Sequence, residues 1–122
     1  MPAFSIETDS VRAVIDPDMG ASLLDLSLWS PRDAWSPVMR RAPGETCPPG
    51  ETAMFLMAPW PNRVAGASFV FQGRTHALRP NFDDGSAIHG DACERPWRIT
   101  DRTPVSATLL LDSREHEDVN FP

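Results

Sequence analysis

The sequence contains no lysine, so arginine supplies all eleven of its basic side chains, against seventeen aspartates and glutamates and a net charge of -6. The arginines are scattered among acidic residues, as Arg12, Arg74 and Arg114 illustrate. A nucleic-acid-binding surface needs clustered positive charge to follow the phosphate backbone. The charge pattern therefore argues against general nucleic-acid binding, and an acidic membrane surface would repel the chain as well.

Long hydrophobic runs are also missing. The longest apolar stretches are only a few residues, such as residues 53–58, whereas a membrane-spanning helix needs about 20. The first residues show no basic segment followed by an apolar run, so they do not resemble a secretory signal. We therefore predict no membrane span and a cytoplasmic protein.

Cysteine is scarce. Cys47 and Cys93 are far apart in the sequence, and a reducing compartment keeps thiols reduced, so we predict two thiols and no disulfide. His89, Asp91 and Cys93 carry side chains that can bind a metal, and Cys47 or His76 could complete a tetrahedral zinc site. No paired-ligand spacing is repeated, however, so we predict no metal site.

The remaining composition is that of a globular domain. The 122 residues, 41% hydrophobic and 23% charged, are enough for one modest core. Thirteen prolines and seven glycines are spread along the whole length and leave almost no window long enough for an ordinary helix. We therefore predict a single domain that is mainly β-structure.

Alternation of side chains marks the strongest strand candidates. Residues 24–29 place a leucine at every second position, which predicts a strand with three leucines on one face, and residues 105–111 show a similar pattern. Residues 69–78 predict a hairpin, with Gly73 supplying the positive φ of its turn. Shorter candidate strands are Phe4 to Glu7, Val11 to Asp16, Met54 to Met57 and Trp97 to Thr100.

Two segments rich in proline and glycine, residues 30–52 and 80–96, predict loops between these strands. The second segment holds most of the unusual side chains. Loops held on a rigid sheet often carry binding groups, so residues 80–96 are the first place to look for a functional site.

Three polar side chains flank the predicted hairpin. Asn62 offers an amide donor and acceptor, Arg63 a fork of donors, and His89 either a donor or an acceptor. Sugar hydroxyls require both kinds of partner, and the nearby Trp60 could lie against the apolar face of a sugar. The alternative is purely structural: Asn62 caps a turn, Arg63 pairs with an acid and His89 satisfies a loop carbonyl.

These residues belong to a longer ordered series. It comprises the run from Met57 to Val64, then Gly66, Phe69, Phe71, Gly73, Leu78, Asn81, His89-Gly90 and Trp97, with Gly20-Ala21-Ser22 upstream. In order and spacing the series resembles the N-terminal half of the aldose 1-epimerase family, also called galactose mutarotases, over most of residues 11–112. A linked series of this kind is far more specific than any single motif.

The resemblance implies a fold and an activity. The implied fold is all-β, a large antiparallel β-sandwich of the galactose mutarotase type, of which residues 1–122 form one partial domain. The implied enzyme is an isomerase of carbohydrate metabolism that interconverts the α and β anomers of a free aldose, a hexose, without a cofactor. A base removes the proton of the C1 hydroxyl while an acid protonates the ring oxygen, and the opened ring closes again to the other anomer.

The resemblance also implies roles for individual residues. Arg63 and His89 would hydrogen-bond the sugar, with His89 as an auxiliary catalytic group, and Asn62 would belong to the binding site by orienting Arg63 or the adjoining loop. Trp60 lies between prolines and next to Asn62 in the sequence, so we expect it in the binding site near the cleft. The family's main acid, a second histidine, and its base, a glutamate, have no matching position here. The acidic stretch 114–118 holds both residue types but does not match the catalytic motifs. We therefore expect a chain truncated at its C-terminus and without mutarotase activity of its own.

Two other function classes stay open from the residues alone. One is a non-catalytic sugar-binding or regulatory β-module that keeps Trp60, Arg63 and His89. The other is a structural β-domain that pairs an exposed sheet edge with a partner chain, and open edges would also favour self-association. Tryptophan fluorescence separates the two, because only the binding module predicts a response to sugar.

Overall fold

In the computed structural model, which describes residues 1–121, the chain forms ten strands and four short 3₁₀ helices. The predicted all-β class is confirmed, since no described residue lies in an α-helix. No helix in this part of the chain is long and apolar enough to cross a membrane. The strands are β1 (Phe4–Glu7), β2 (Val11–Asp16), β3 (Ser22–Ser30), β4 (Ala34–Pro37), β5 (Arg63–Val64), β6 (Ser68–Phe71), β7 (Arg74–Ala77), β8 (Ala87–Ile88), β9 (Arg98–Arg102) and β10 (Ala107–Leu110), and the 3₁₀ helices span Pro49–Glu51, Ala65–Ala67, Ala92–Glu94 and Ser113–Glu115.

The chain divides into two compact units. The first combines Met1–Leu56 with Cys93–Leu111, and the second combines Met57–Ala92 with the segment from Asp112 onwards. The first unit contains an antiparallel sheet of order β1-β2-β3-β4 and a separate antiparallel pair, β9 and β10. The predicted strands at both places are confirmed, with β1 and β2 spanning the predicted residues.

The leucines of β3 are not equally buried. Leu24 is 5% exposed, whereas Leu28 is 44% exposed. The reason is a register shift opposite Val14 and Ile15, which leaves Leu24 out of the pairing with β2. An extra residue of this kind interrupts the alternation of side chains along a strand. The predicted strand is confirmed, and the leucines predicted for one of its faces differ in burial.

Two further segments of the first unit differ from the prediction. The predicted loop at residues 30–52 contains β4, which pairs with the end of β3. The predicted strand at residues 54–57 is absent, and only Met54 makes a single bridge, to Leu23. Residues 53–58 are apolar throughout, so they carry no alternation that could separate a strand from an apolar connection.

The second unit contains the predicted hairpin. Strands β6 and β7 pair antiparallel, and the turn residues Gln72 and Gly73 have φ angles of 49° and 73°. Two consecutive positive φ values define the hairpin turn whose twist matches that of the strands, so the role predicted for Gly73 is confirmed. A small core lies beside the hairpin, formed by Ala67, Leu78 and Ala87 with Trp60, Val64 and Phe69 packed against it.

Candidate functional site

The pairing of β5 with β8 brings three of the predicted site residues together. Arg63 lies opposite Ile88 in this short antiparallel pair. Asn62 comes immediately before β5, His89 comes immediately after β8, and the backbone N–H of His89 donates to the Asn62 carbonyl oxygen at 2.8 Å. Both residues have positive φ angles, 54° and 63°, which are uncommon outside glycine and turn the chain away from the strand direction. The two loop segments that carry the predicted groups are therefore joined here.

Two groups of the segment after β7 hold the Arg63 guanidinium. Its Nη1 donates to Asp84 Oδ2 at 2.6 Å, and its Cζ lies 4.7 Å from the centroid of the Phe82 ring, within the range of a cation–π contact. The side chains of Arg63 and Asp84 are 41% and 46% exposed. The ion pair therefore faces solvent and can meet a ligand.

A tight turn sets the position of Asp84. The N–H of Gly85 donates to the Phe82 carbonyl oxygen at 3.0 Å, and the N–H of Ser86 donates to Asp84 Oδ1 at 2.9 Å. Hydrogen bonding by Ser86, and next by Arg63, lowers the pKa of Asp84 to about 2 from its ordinary value of 3.8. The carboxylate is therefore ionised at neutral pH and loses its charge only when the pH falls towards about 2.

Trp60 is a half-buried anchor beside β8. Its indole N–H donates to the Ala87 carbonyl oxygen at 3.2 Å, and its ring lies 6.2 Å from the ring of Phe121, centroid to centroid. Together with its packing against the small core, these contacts tie the segment before Asn62 to β8. Trp60 is thus close to the other predicted residues in the fold, with its one polar atom already used.

The side chain of Asn81 forms two hydrogen bonds with the backbone of β8. Its Oδ1 accepts from the backbone N–H of Ile88 at 2.6 Å, and its Nδ2 donates to the Ile88 carbonyl oxygen at 3.0 Å. The side-chain amide thus satisfies both backbone groups of Ile88, as a neighbouring strand would. It fixes the backbone directly before His89.

A second asparagine ties the segment from Asp112 onwards to the same unit. Asn120 is 6% exposed; its Oδ1 accepts from the Arg79 N–H at 2.6 Å and its Nδ2 donates to the Arg79 carbonyl oxygen at 2.9 Å. Its backbone N–H donates to the buried Asp91 at 2.9 Å. Neither Asp84 nor Asn120 was predicted as a site residue. Only the structural alternative, in which Arg63 pairs with an acid, pointed towards Asp84.

The residues named above as candidate zinc ligands do not form a metal site in the described part of the chain. Within residues 1–121 no group of three or more histidine, cysteine or acidic side chains is placed to hold a metal ion. The ring of His76 stacks on Phe69 across the hairpin, with 5.2 Å between the centroids. Cys47 and Cys93 are both buried thiols.

Comparison with known proteins decides the family. A sequence profile described as aldose 1-epimerase matches residues 2–122. The chain belongs to the aldose 1-epimerase family.

Two solved structures share its fold. A putative aldose 1-epimerase of Escherichia coli K12 is 27% identical with a TM-score of 0.75, and the match covers 88% of this chain and 35% of that one. A GalM/aldose epimerase homologue of C. elegans is 16% identical with a TM-score of 0.71, covering 88% and 34%.

Two curated relatives match shorter parts of the chain. The uncharacterized protein YphB of Escherichia coli K12 is 34% identical over 65 residues, which are 52% of this chain and 22% of the relative. The uncharacterized protein YihR of the same strain is 38% identical over 55 residues, which are 44% and 18%. The matches span about a fifth of these relatives and about a third of the solved structures. The fold class that the resemblance implied is confirmed.

Proposed function

We propose that this protein is an isomerase of the aldose 1-epimerase type that interconverts the anomers of a free hexose, and that residues 57–92 hold part of its sugar-binding site. Family membership and fold support a sugar-epimerase role. The observation that carries the site assignment is the β5–β8 pairing, which joins Asn62 to His89 and sets Arg63 beside them.

The chemistry of these side chains suits a neutral sugar. Arg63 is always charged and only donates, so it would bind a ring or hydroxyl oxygen of the sugar. His89 can donate or accept according to its protonation, and the exposed Asn62 amide offers both functions. Trp60 would support the loop and present the exposed part of its ring to the sugar. This set binds and orients a pyranose.

Anomer interconversion needs two proton transfers, one from the C1 hydroxyl and one to the ring oxygen. In the proposed site the ring nitrogens of His89 can both donate and accept a proton. A single imidazole cannot remove the proton of the C1 hydroxyl and protonate the ring oxygen at the same time. His89 would therefore assist, and the main acid and base would come from outside this site.

Sugar binding by the chain is the first test. We expect saturation-transfer NMR to show transfer from the protein to D-galactose or D-glucose. Arg63→Ala should weaken binding about tenfold, because a charge-assisted hydrogen bond is lost. The matched control is Arg74→Ala, which removes an exposed arginine from β7 and should change nothing. Equal losses in the two variants, or no transfer to any aldose, would contradict the site assignment.

The mutarotation rate is the second test. We expect the 122-residue chain to leave the spontaneous rate unchanged when fresh α-D-glucose or α-D-galactose is followed by polarimetry. The reason is that the reaction needs two proton transfers and a single imidazole supplies only one of them at a time. A saturable acceleration that His89→Ala removes would show that the chain holds a complete acid–base pair, contrary to this expectation.

Two finer expectations complete the proposal. The buried thiols of Cys47 and Cys93 fit a reducing compartment such as the cytoplasm. Strands β6 and β7 form a two-stranded sheet, and the outer edges of such a sheet offer backbone groups to another strand. Self-association through these edges is therefore included in the proposal.

A further inference from the structure

The charge of Arg63 is already matched by a carboxylate. Asp84 Oδ2 lies 2.6 Å from Arg63 Nη1, and both side chains are about half exposed. At this distance the two unit charges form a neutral pair as seen by a ligand a few ångströms away. The turn that contains Asp84 therefore changes what the arginine offers to a substrate.

We propose that Asp84 is a specificity-determining residue that restricts the site to neutral sugars and disfavours anionic ones, such as uronates and sugar phosphates. This inference rests on the proposed function, because it names the substrate class of the same site. A carboxylate or phosphate that touches Arg63 would also come close to Asp84. The distance between such an anion and the Asp84 carboxylate would be shorter than the screening length of about 8 Å at physiological salt. Repulsion by Asp84 would therefore offset the attraction by Arg63.

A neutral hydroxyl is affected differently. The guanidinium has several N–H donors, and the bond to Asp84 uses one of them. The others can still donate to a sugar oxygen, and a hydroxyl brings no net charge to be repelled. The pair therefore keeps the hydrogen-bonding function of the arginine while cancelling its attraction for anions.

Asp84 cannot easily swing away to admit an anion. Its Oδ1 accepts from the Ser86 N–H at 2.9 Å, and Gly85 closes the turn onto Phe82. Phe82 in turn lies under the guanidinium of Arg63. The carboxylate and the arginine are thus held by the same short segment, which makes their neutral pairing a built-in property of the site.

The experiment compares sugars that differ only at C6, where one carries a neutral hydroxymethyl group and the other a carboxylate. D-galactose and D-galacturonate, and D-glucose and D-glucuronate, have the same ring but a neutral or anionic group at C6. Asp84→Asn removes the charge and keeps an oxygen that can accept from Ser86, and Asp83→Asn removes the same charge from the exposed neighbouring residue. Affinities are measured by NMR titration at pH 7 and low salt.

We expect the unchanged chain to bind each neutral sugar more tightly than its uronate. Asp84→Asn should raise uronate affinity roughly tenfold and alter neutral-sugar affinity by no more than about twofold. Asp83→Asn should do neither. Uronates that bind the unchanged chain as tightly as the neutral sugars, or equal gains in both variants, overturn the inference while the proposed function stands. A chain that binds no sugar in any form overturns both.

Discussion

Gly90→Ala should lower the free energy of unfolding by about 3 kcal/mol or more. Gly90 has a φ angle of 64°, and a Cβ added there would lie 2.0 Å from the Ala58 carbonyl oxygen and 2.6 Å from Pro59 Cδ. The first neighbour is backbone, so it cannot rotate away like a flexible side chain. The substitution therefore forces apart the segments that carry His89 and Trp60. Urea denaturation followed by tryptophan fluorescence measures the loss.

Gly73→Ala is the matched control for this change. Gly73 has a similar φ angle, 73°, but an added Cβ there would have no atom within 4 Å. It should therefore cost only the free energy of placing alanine at a positive φ angle, about 1–2 kcal/mol. The difference between the two variants isolates the contact between Gly90 and Ala58. Equal losses in Gly90→Ala and Gly73→Ala would mean that the close approach of Gly90 to Ala58 adds nothing to the cost of the substitution.

Asn120→Ala should lower the free energy of unfolding by about 2–3 kcal/mol. The substitution removes both side-chain hydrogen bonds to the Arg79 backbone, at 2.6 and 2.9 Å. It leaves an N–H and a C=O of a partly buried segment without these partners, and such groups are costly to leave unsatisfied. The bond from the Asn120 backbone N–H to Asp91 does not depend on the side chain. Urea denaturation again gives the size of the loss.

Glu117→Ala serves as the control in the same segment. Glu117 is exposed, and substitutions at such positions usually change stability by less than about 0.5 kcal/mol. Hydrogen exchange adds a second readout, because the Arg79 amide should exchange faster in Asn120→Ala than in Glu117→Ala. Equal stability and equal protection of Arg79 in the two variants would show that Asn120 does not hold this segment.

Local patterns predicted those parts of the fold that local chemistry determines. Strands β1, β2, β9 and β10 and the hairpin around Gly73 were predicted from strand-like segments and turn residues, whereas the pairing of β9 with β10 was not. Strand β4 was missed because its four residues include a terminal proline and show no alternation. The uneven burial of β3 comes from a register shift at Leu24, which depends on the partner strand and has no local signature.

The candidate site, like the fold, could be predicted from the sequence only in part. Asn62, Arg63 and His89 were predicted from their residue types and from the family resemblance, but β5 and β8 are two residues long, too short for any periodicity. Their pairing joins residues far apart in sequence and could not be deduced locally. Asp84 and Asn120 lie in polar stretches where nothing distinguishes them, and they gain their roles from partners 21 and 41 residues away.

The connectivity of the second unit sets an order of events during synthesis. A ribosome releases Met57–Ala92, with all four predicted site residues, before it releases the segment from Asp112 onwards that completes the same unit. Asn120 reaches back 29 residues to Asp91 and 41 to Arg79. The nascent unit therefore lacks the hydrogen bonds to Arg79 and Asp91 until Asn120 has been synthesised.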